Sequence, residues 1–422
     1  MKHRFFWMVC LFFLLFPATG FASGVSESFE KTTILFLVIL TLAKWSGFVF
    51  EKLGLPELVG ELAAGVLLGN KGLIGIDFNL THTLLTSNFM QYAAELGLII
   101  LLFEAGLESN VRDLLTVGPN ALFVAIVGVV LPVFLGVVVS NALGITSGIG
   151  SWFIGATLAA TSVGITAKIL GETGVIKTPS SQVILGAAVI DDILGLILLA
   201  VLAGIVTTGS LSVGNISWIF LKASMFFAGS FLIGQALMPR LVRLTTLNPH
   251  SSFWVGFGMI VALSFSQIAL WAGLAPIIGA FTAGLLLDDV DFVIGSKFQK
   301  HTLEELLTPL SDILLPIFFV AIGSQVQLDA MANFNIIIIV LVLVVVGIIG
   351  KGAAGFVVRG KLFDRFGIGM AMVPRGEVGL IFASYALHHE VVTPAMYSAL
   401  VIVVLLTTVL GPILLKPRLR FF

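Results

Sequence analysis

The sequence predicts an all-α polytopic membrane protein of about thirteen transmembrane helices. Three observations predict it. Hydrophobic residues make up 58% of the 422-residue chain and charged residues 11%, where soluble domains carry about 25% charged residues. Apolar runs near the length of a spanning helix, about 20 residues, recur along the whole chain. Lys and Arg concentrate on alternate connections, as a fixed orientation in a bilayer requires. The net charge of −1 carries no nucleic-acid signal. The one Cys, Cys10, falls in a segment expected to be removed, which leaves no disulfide and no Cys-based metal site.

The elements follow in order. Lys2 and Arg4, the apolar stretch Phe5–Phe16, Pro17 and small residues up to Ala22-Ser23 read as a secretory signal peptide over 1–22, the alternative being an uncleaved first helix. Residues 23–422 then form a single membrane domain. Its apolar segments are 32–50, 56–74, 89–107, 117–142, 149–170, 181–206, 215–239, 250–272, 274–288, 306–327, 336–358, 367–387 and 394–415. With the mature N-terminus outside, the inner loops hold Lys52, Arg112, Lys177, Arg240, Arg243, Lys297, Lys300, Arg359, Lys361 and Arg365, and the inner tail holds Lys416, Arg418 and Arg420. The outer loops hold little beyond Lys31 and Lys71. This predicts a periplasmic N-terminus and a cytoplasmic C-terminus in a bacterial inner membrane.

The chain repeats itself. Gly60-Glu-Leu-Ala-Ala-Gly-Val-Leu-Leu68 matches Gly279-Ala-Phe-Thr-Ala-Gly-Leu-Leu-Leu287. Phe103-Glu-Ala105 matches Phe319-Val-Ala321, and Ser162-Val-Gly-Ile165 matches Glu377-Val-Gly-Leu380. The pairs keep their order and nearly their separation. Corresponding helices lie an odd number of spans apart, which gives an inverted-topology repeat, roughly 56–206 and 274–416.

Charges inside these segments mark the site. Asp191 and Asp192 sit at the centre of the apolar run Val183–Val206. Each Asp at a helix centre costs about 2.5–3.5 kcal/mol on insertion scales, so the pair costs roughly 5–7 kcal/mol uncompensated. Adjacent helical residues point about 100° apart. One acid can therefore face a partner helix while the other faces an ion pathway. Lys351, between Gly350 and Gly352, is the available partner; its alternative is to snorkel toward the inner interface. Thr161 and Ser162 in one repeat, and Pro374-Arg-Gly-Glu-Val-Gly379 in the other, interrupt equivalent segments, which points to a transporter's site. Glu377 can serve positive half-helix ends; Arg375 can serve negative ends or pair with Glu377. Both are expected to be structural. Lys44 and Lys222 are expected to snorkel, and Glu61 and Glu104 either line a funnel or make polar helix contacts. No phosphate loop, catalytic triad or metal-ligand cluster stands out, so the reading includes no cofactor and no enzymatic chemistry.

The motifs Gly60-Glu61-Leu-Ala-Ala-Gly65, Leu102-Phe-Glu-Ala-Gly-Leu-Glu108, Thr161-Ser-Val-Gly-Ile165, Asp191-Asp192, Gly350-Lys351 and Pro374-Arg-Gly-Glu-Val-Gly-Leu380 together resemble the bacterial monovalent cation:proton antiporters of the Kef/NapA-like branch. The resemblance implies an NhaA-like fold with two crossed discontinuous helices, a homodimer and an elevator-like motion. It implies that Asp192 is the ion- and proton-binding carboxylate and holds the monovalent cation. It further implies that Asp191 pairs with Lys351, and that Thr161 and Ser162 offer oxygens to the ion. A double Asp in this family goes with electrogenic sodium/proton exchange, and Kef-type potassium systems carry a nucleotide-binding domain that this sequence is expected to lack. The expected cargo is Na⁺, with Li⁺ or K⁺ open, against H⁺. The alternatives are a K⁺/H⁺ antiporter or a sodium-coupled organic-anion symporter of the same fold.

Overall fold

The computed structural model describes residues 27–70, 88–108, 118–209, 213–245, 251–288, 302–360 and 363–421. The segment read as a signal peptide lies outside them. The described residues are helical, with no strand among them. In chain order the helices are α1 (Glu27–Lys52), α2 (Glu57–Gly69), α3 (Asn88–Glu108), α4 (Pro119–Ala142), α5 (Ile149–Ala159), α6 (Val163–Glu172), α7 (Pro179–Thr208), α8 (Val213–Thr245), α9 (Ser251–Trp271), α10 (Pro276–Asp288), α11 (Leu303–Ser324), α12 (Phe334–Ala354), α13 (Arg365–Ala371), α14 (Glu377–His388) and α15 (Pro394–Leu415). Eight helical runs among the described residues are long and apolar enough to cross a membrane. The predicted segments 149–170 and 367–387 are each two helices, α5–α6 and α13–α14, end to end.

Helix ends follow local chemistry. Thr178, Thr302 and Thr393 accept backbone N–H bonds from Ser181, Glu305 and Met396 at the starts of α7, α11 and α15. Such caps satisfy donors that the first turn leaves unpaired. Gly209, at φ +65°, closes α7 in the left-handed conformation that glycine tolerates.

The packing falls into two sets. Helices α1, α2, α3, α9, α10 and α11 pack on one another, and α4–α7 pack with α12–α15. Helix α8 leans on α7 and α10. Backbones approach closely through glycine. A Cβ on Gly65 of α2 would lie 2.4 Å from the Val320 oxygen of α11, and one on Gly284 of α10 would lie 2.1 Å from the Phe103 oxygen of α3. Only a residue with no side chain lets these helices meet. Tyr397 of α15 is fully buried and donates to the Ile322 carbonyl of α11 at 2.7 Å, and Ser398 accepts from the Gln327 N–H at 2.8 Å. Those two bonds join the sets.

Lys44 departs from expectation. Rather than only reaching for the interface, it stands among three carboxylates: Glu57 at 3.1 Å, Asp312 at 3.3 Å and Glu61 at 3.7 Å. Glu61 is buried, and an ammonium near it offsets the cost of that burial. Ser311 of α11 donates to the carboxylate of Glu104. Both glutamates therefore make polar helix contacts. Lys222 lies over the Trp218 ring at 5.8 Å.

Candidate functional site

The site begins where α5 and α13 stop. Helix α5 ends at Ala159 because the chain turns extended at Ala160 and stays so at Ser162. Thr and Ser are weak helix formers that favour such boundaries. Across from it, α13 ends at Ala371 and α14 starts at Glu377. Pro374 lies between them; it has no N–H and disfavours helix at the residue before it.

The two breaks bond to each other. The Ser162 N–H donates to the Pro374 carbonyl at 2.9 Å. The Thr161 hydroxyl donates to the Met372 carbonyl at 3.3 Å, and the Thr166 hydroxyl donates to the Ala371 carbonyl at 2.8 Å. Thr161, Ser162 and Thr166 are all buried. A Cβ on Gly376 would lie 2.7 Å from the Ser162 Cβ, so the approach needs glycine. The negative ends of α5 and α13 and the positive ends of α6 and α14 thus meet in one place.

Arg375 ties the second break to the first and to α12. It is the largest fully buried side chain of the described residues. Its Nη1 donates to the Ala160 carbonyl at 2.8 Å and its Nη2 to the Gly347 carbonyl at 3.1 Å. Thr408 of α15 donates to the Arg375 carbonyl at 2.6 Å. Of the two sequence alternatives, the negative helix end has the arginine; no Arg375–Glu377 ion pair forms. Glu377 is half-buried in the first turn of α14, where a carboxylate complements the positive helix end.

Lys351 of α12 and Asp191 of α7 meet. The ammonium donates to the Asp191 Oδ1 at 2.7 Å, with side-chain exposures of 0% and 1%. Lys351 therefore does not snorkel. Asp191 Oδ2 is buried and has no hydrogen-bond partner. Asp192, on the next residue of α7, is half-buried and accepts no hydrogen bond from the described residues. The charges of Asp191, Glu377, Lys351 and Glu108 act on it. The hydroxyls of Thr161 and Ser162 do not bond Asp192; Thr161 is engaged with Met372, which leaves its oxygen lone pairs free to accept a cation.

The structure thus brings together Asp191 with Lys351, and Thr161 and Ser162 with the Pro374–Glu377 break, with Asp192 half-buried on the residue after Asp191. Sequence reasoning missed Thr166, Thr408 and the Gly347 carbonyl. Their signal, a hydroxyl on an apolar helix, is too common in membrane helices to single out.

The sequence profile described as "Sodium/hydrogen exchanger, transmembrane" matches residues 34–421. A Synechocystis protein named high-affinity Na⁺/H⁺ antiporter NhaS3 is 37% identical over 412 residues, covering 90% of this chain and 88% of that protein. The Bacillus cereus Na⁺/H⁺-K⁺ antiporter GerN is 34% identical, covering 90% of this chain and 94% of its own. The solved structure of the sodium proton antiporter MjNhaP1 from Methanocaldococcus jannaschii superposes with a TM-score of 0.67 over 92% of this chain and 97% of that one, at 17% identity. That likeness is one of fold.

Proposed function

The chain belongs to the sodium/hydrogen exchanger family of transmembrane proteins, and from that premise we propose that it exchanges Na⁺ for protons across a bacterial inner membrane. The observation that carries this reading is the buried Asp191–Lys351 pair with an unbonded carboxylate, Asp192, on the adjoining residue. A carboxylate with no protein donor is free for either of two cations, Na⁺ or H⁺. The names of the Synechocystis and Bacillus cereus relatives favour Na⁺ as the cargo.

Deprotonated Asp192 binds Na⁺ from the inside, helped by oxygens of Thr161, Ser162 and the unwound carbonyls, since hard cations take oxygen ligands. Na⁺ leaves outside, protons replace it, and the neutral site returns. Lys351 carries the second proton if the pair with Asp191 opens on Na⁺ binding. Two protons per Na⁺ move one net charge inward, which at 100 mV contributes about 2.3 kcal/mol toward extrusion. Arg375 and Glu377 neutralise the half-helix ends and hold the crossing.

The architecture we propose is thirteen crossings in an inverted repeat, roughly 56–206 and 274–416, working as a homodimer with elevator-like motion. Matched glycine contacts support the repeat. Gly60 abuts the Ser46 backbone as Gly279 abuts that of Phe265, and Gly136 meets Gly155 as Gly355 meets Gly369. The mature N-terminus is outside and the C-terminus inside.

The test is Na⁺-driven proton flux in proteoliposomes at several clamped potentials, for wild type and Asp192→Asn. Flux that depends on voltage and vanishes in the variant is the expected result. A folded wild type without cation-dependent proton flux refutes antiport, and voltage-independent flux refutes electrogenicity.

A further inference from the structure

Helix α13 is only seven residues long. Two turns of helix do not hold their place alone. Yet the far end of α13 carries the Ala371 and Met372 carbonyls that accept the Thr166 and Thr161 hydroxyls. Glycines pack it on α12: a Cβ on Gly369 would run into the Gly352 backbone, and one on Gly355 into that of Arg365. Such contacts set how near two helices lie, but they offer no interlocking ridge against sliding. Something else must fix α13 along its length.

Asp364 precedes α13 at the N-cap position, where an Asp ordinarily accepts from the first turn. Here its side chain makes no capping bond. Both oxygens go to one arginine instead. Arg418 donates from Nη2 to Oδ1 at 2.7 Å and from Nε to Oδ2 at 3.0 Å. The guanidinium also lies 5.4 Å from the ring centre of Phe366, on α13, and 4.5 Å from that of Phe421. Exposed ion pairs are worth little. This one is forked, its carboxylate is 7% exposed, and its cation lies against two rings. The Asp364 N–H donates to the Ser180 hydroxyl at 3.3 Å, near the start of the helix that carries Asp191 and Asp192.

Arg418 belongs to a short 3₁₀ segment, Lys416–Phe421, that continues α15. Leu419 of that segment is buried. Together α15 and the segment run beside the second break in the reverse direction. Thr408 bonds the Arg375 carbonyl, Gly411 lies against Pro374, and Arg418 holds Asp364. One continuous piece of chain therefore grips α13 and its break at both ends.

We propose that α15 and Lys416–Phe421 form a splint along the second break, and that Arg418 is a positioning residue for cation binding. By holding Asp364 it fixes where α13 presents the Ala371 and Met372 carbonyls, and so where the Thr166 and Thr161 oxygens stand. The inference rests on the reading that the cation binds at these breaks.

Neutral isosteres at both residues test it. Arg418→Gln and Asp364→Asn each break the charged fork while keeping a polar group of similar size. Na⁺-driven proton flux in proteoliposomes gives the Na⁺ half-saturation and the maximal rate for wild type, both single variants and the double. A charged hydrogen bond is worth a factor of roughly ten to a hundred when buried. Arg418 is 33% exposed, which brings the expected effect to about three- to tenfold. Each single variant should raise the Na⁺ half-saturation by that factor and change the maximal rate by less than about twofold. The double should match the singles, because each removes the same bond. A wild-type half-saturation in folded single variants overturns the proposal, even where thermal unfolding shows lost stability, since the pair is then a structural bond only. A double variant whose effect is the product of the singles overturns it as well. Should Arg418→Gln not fold, Asp364→Asn decides alone by the same criterion. A wild type with no Na⁺-dependent proton flux fails the exchange reading instead; the Na⁺ dissociation constant from calorimetry on the same four proteins then carries the same ratios.

Discussion

Removing one partner of the Asp191–Lys351 pair should cost more than removing both. The two side chains are 0% and 1% exposed and joined by one 2.7 Å bond. Asp191→Asn leaves a buried ammonium with an amide for company, and Lys351→Met leaves a buried carboxylate with nothing. Breaking a buried pair this way costs about 3–5 kcal/mol per variant. If the two losses were independent, the double variant would lose roughly 6–10 kcal/mol. A buried neutral pair has no charge to desolvate, so the double variant should instead return to within about 2 kcal/mol of wild type. The gap between those outcomes is large enough to read in mixed micelles, by titrating purified protein with a denaturing detergent and following helix content. Single variants that lose under about 1 kcal/mol, or a double variant as weak as the sum, would refute the argument that mutual charge compensation holds these residues in the bilayer.

Three further outcomes follow from the geometry. Because Na⁺ and H⁺ compete for Asp192, acidification should raise the Na⁺ half-saturation about tenfold per pH unit for each competing proton, once Asp192 begins to protonate; flux measured across a pH series checks this, and a pH-independent half-saturation rules out a shared site. Arg375→Gln gives up two charged bonds, to Ala160 and Gly347, and should destabilise by roughly 3–6 kcal/mol, while Arg375→Lys recovers part of that; thermal unfolding of both variants decides whether the guanidinium holds the crossing. Gly284→Ala drives a methyl to 2.1 Å of the Phe103 carbonyl and should cut folded yield, whereas Gly256→Ala meets nothing within 4 Å and should be neutral or stabilising by about 0.5–1 kcal/mol; size-exclusion profiles of the two separate close helix contact from helix propensity.

What could be read from the sequence and what could not divide along physical lines. Membrane helices announce themselves because the bilayer demands long apolar runs, and eight helical runs among the described residues are long and apolar enough to cross one. Buried charges are equally visible, because in so apolar a chain each one stands alone. Asp191, Lys351 and Arg375 were all legible on that ground, though the choice of partner for Arg375 was not. Its carbonyl acceptors, Ala160 and Gly347, carry no sequence signature, since every residue has a carbonyl and only the fold decides which ones meet the guanidinium. The same limit hid the role of Lys44: its carboxylates at 57 and 61 come from α2 and that at 312 from α11, and nothing local links Asp312 to the other two. The site is therefore half written in side chains and half in backbone. The side chains fix which charges must be buried. The breaks at Thr161 and Pro374 bring backbone carbonyls out of the helices beside them. A cation exchanger needs both, because a hard cation held among buried carboxylates takes its remaining oxygen ligands from hydroxyls and from backbone outside the helices.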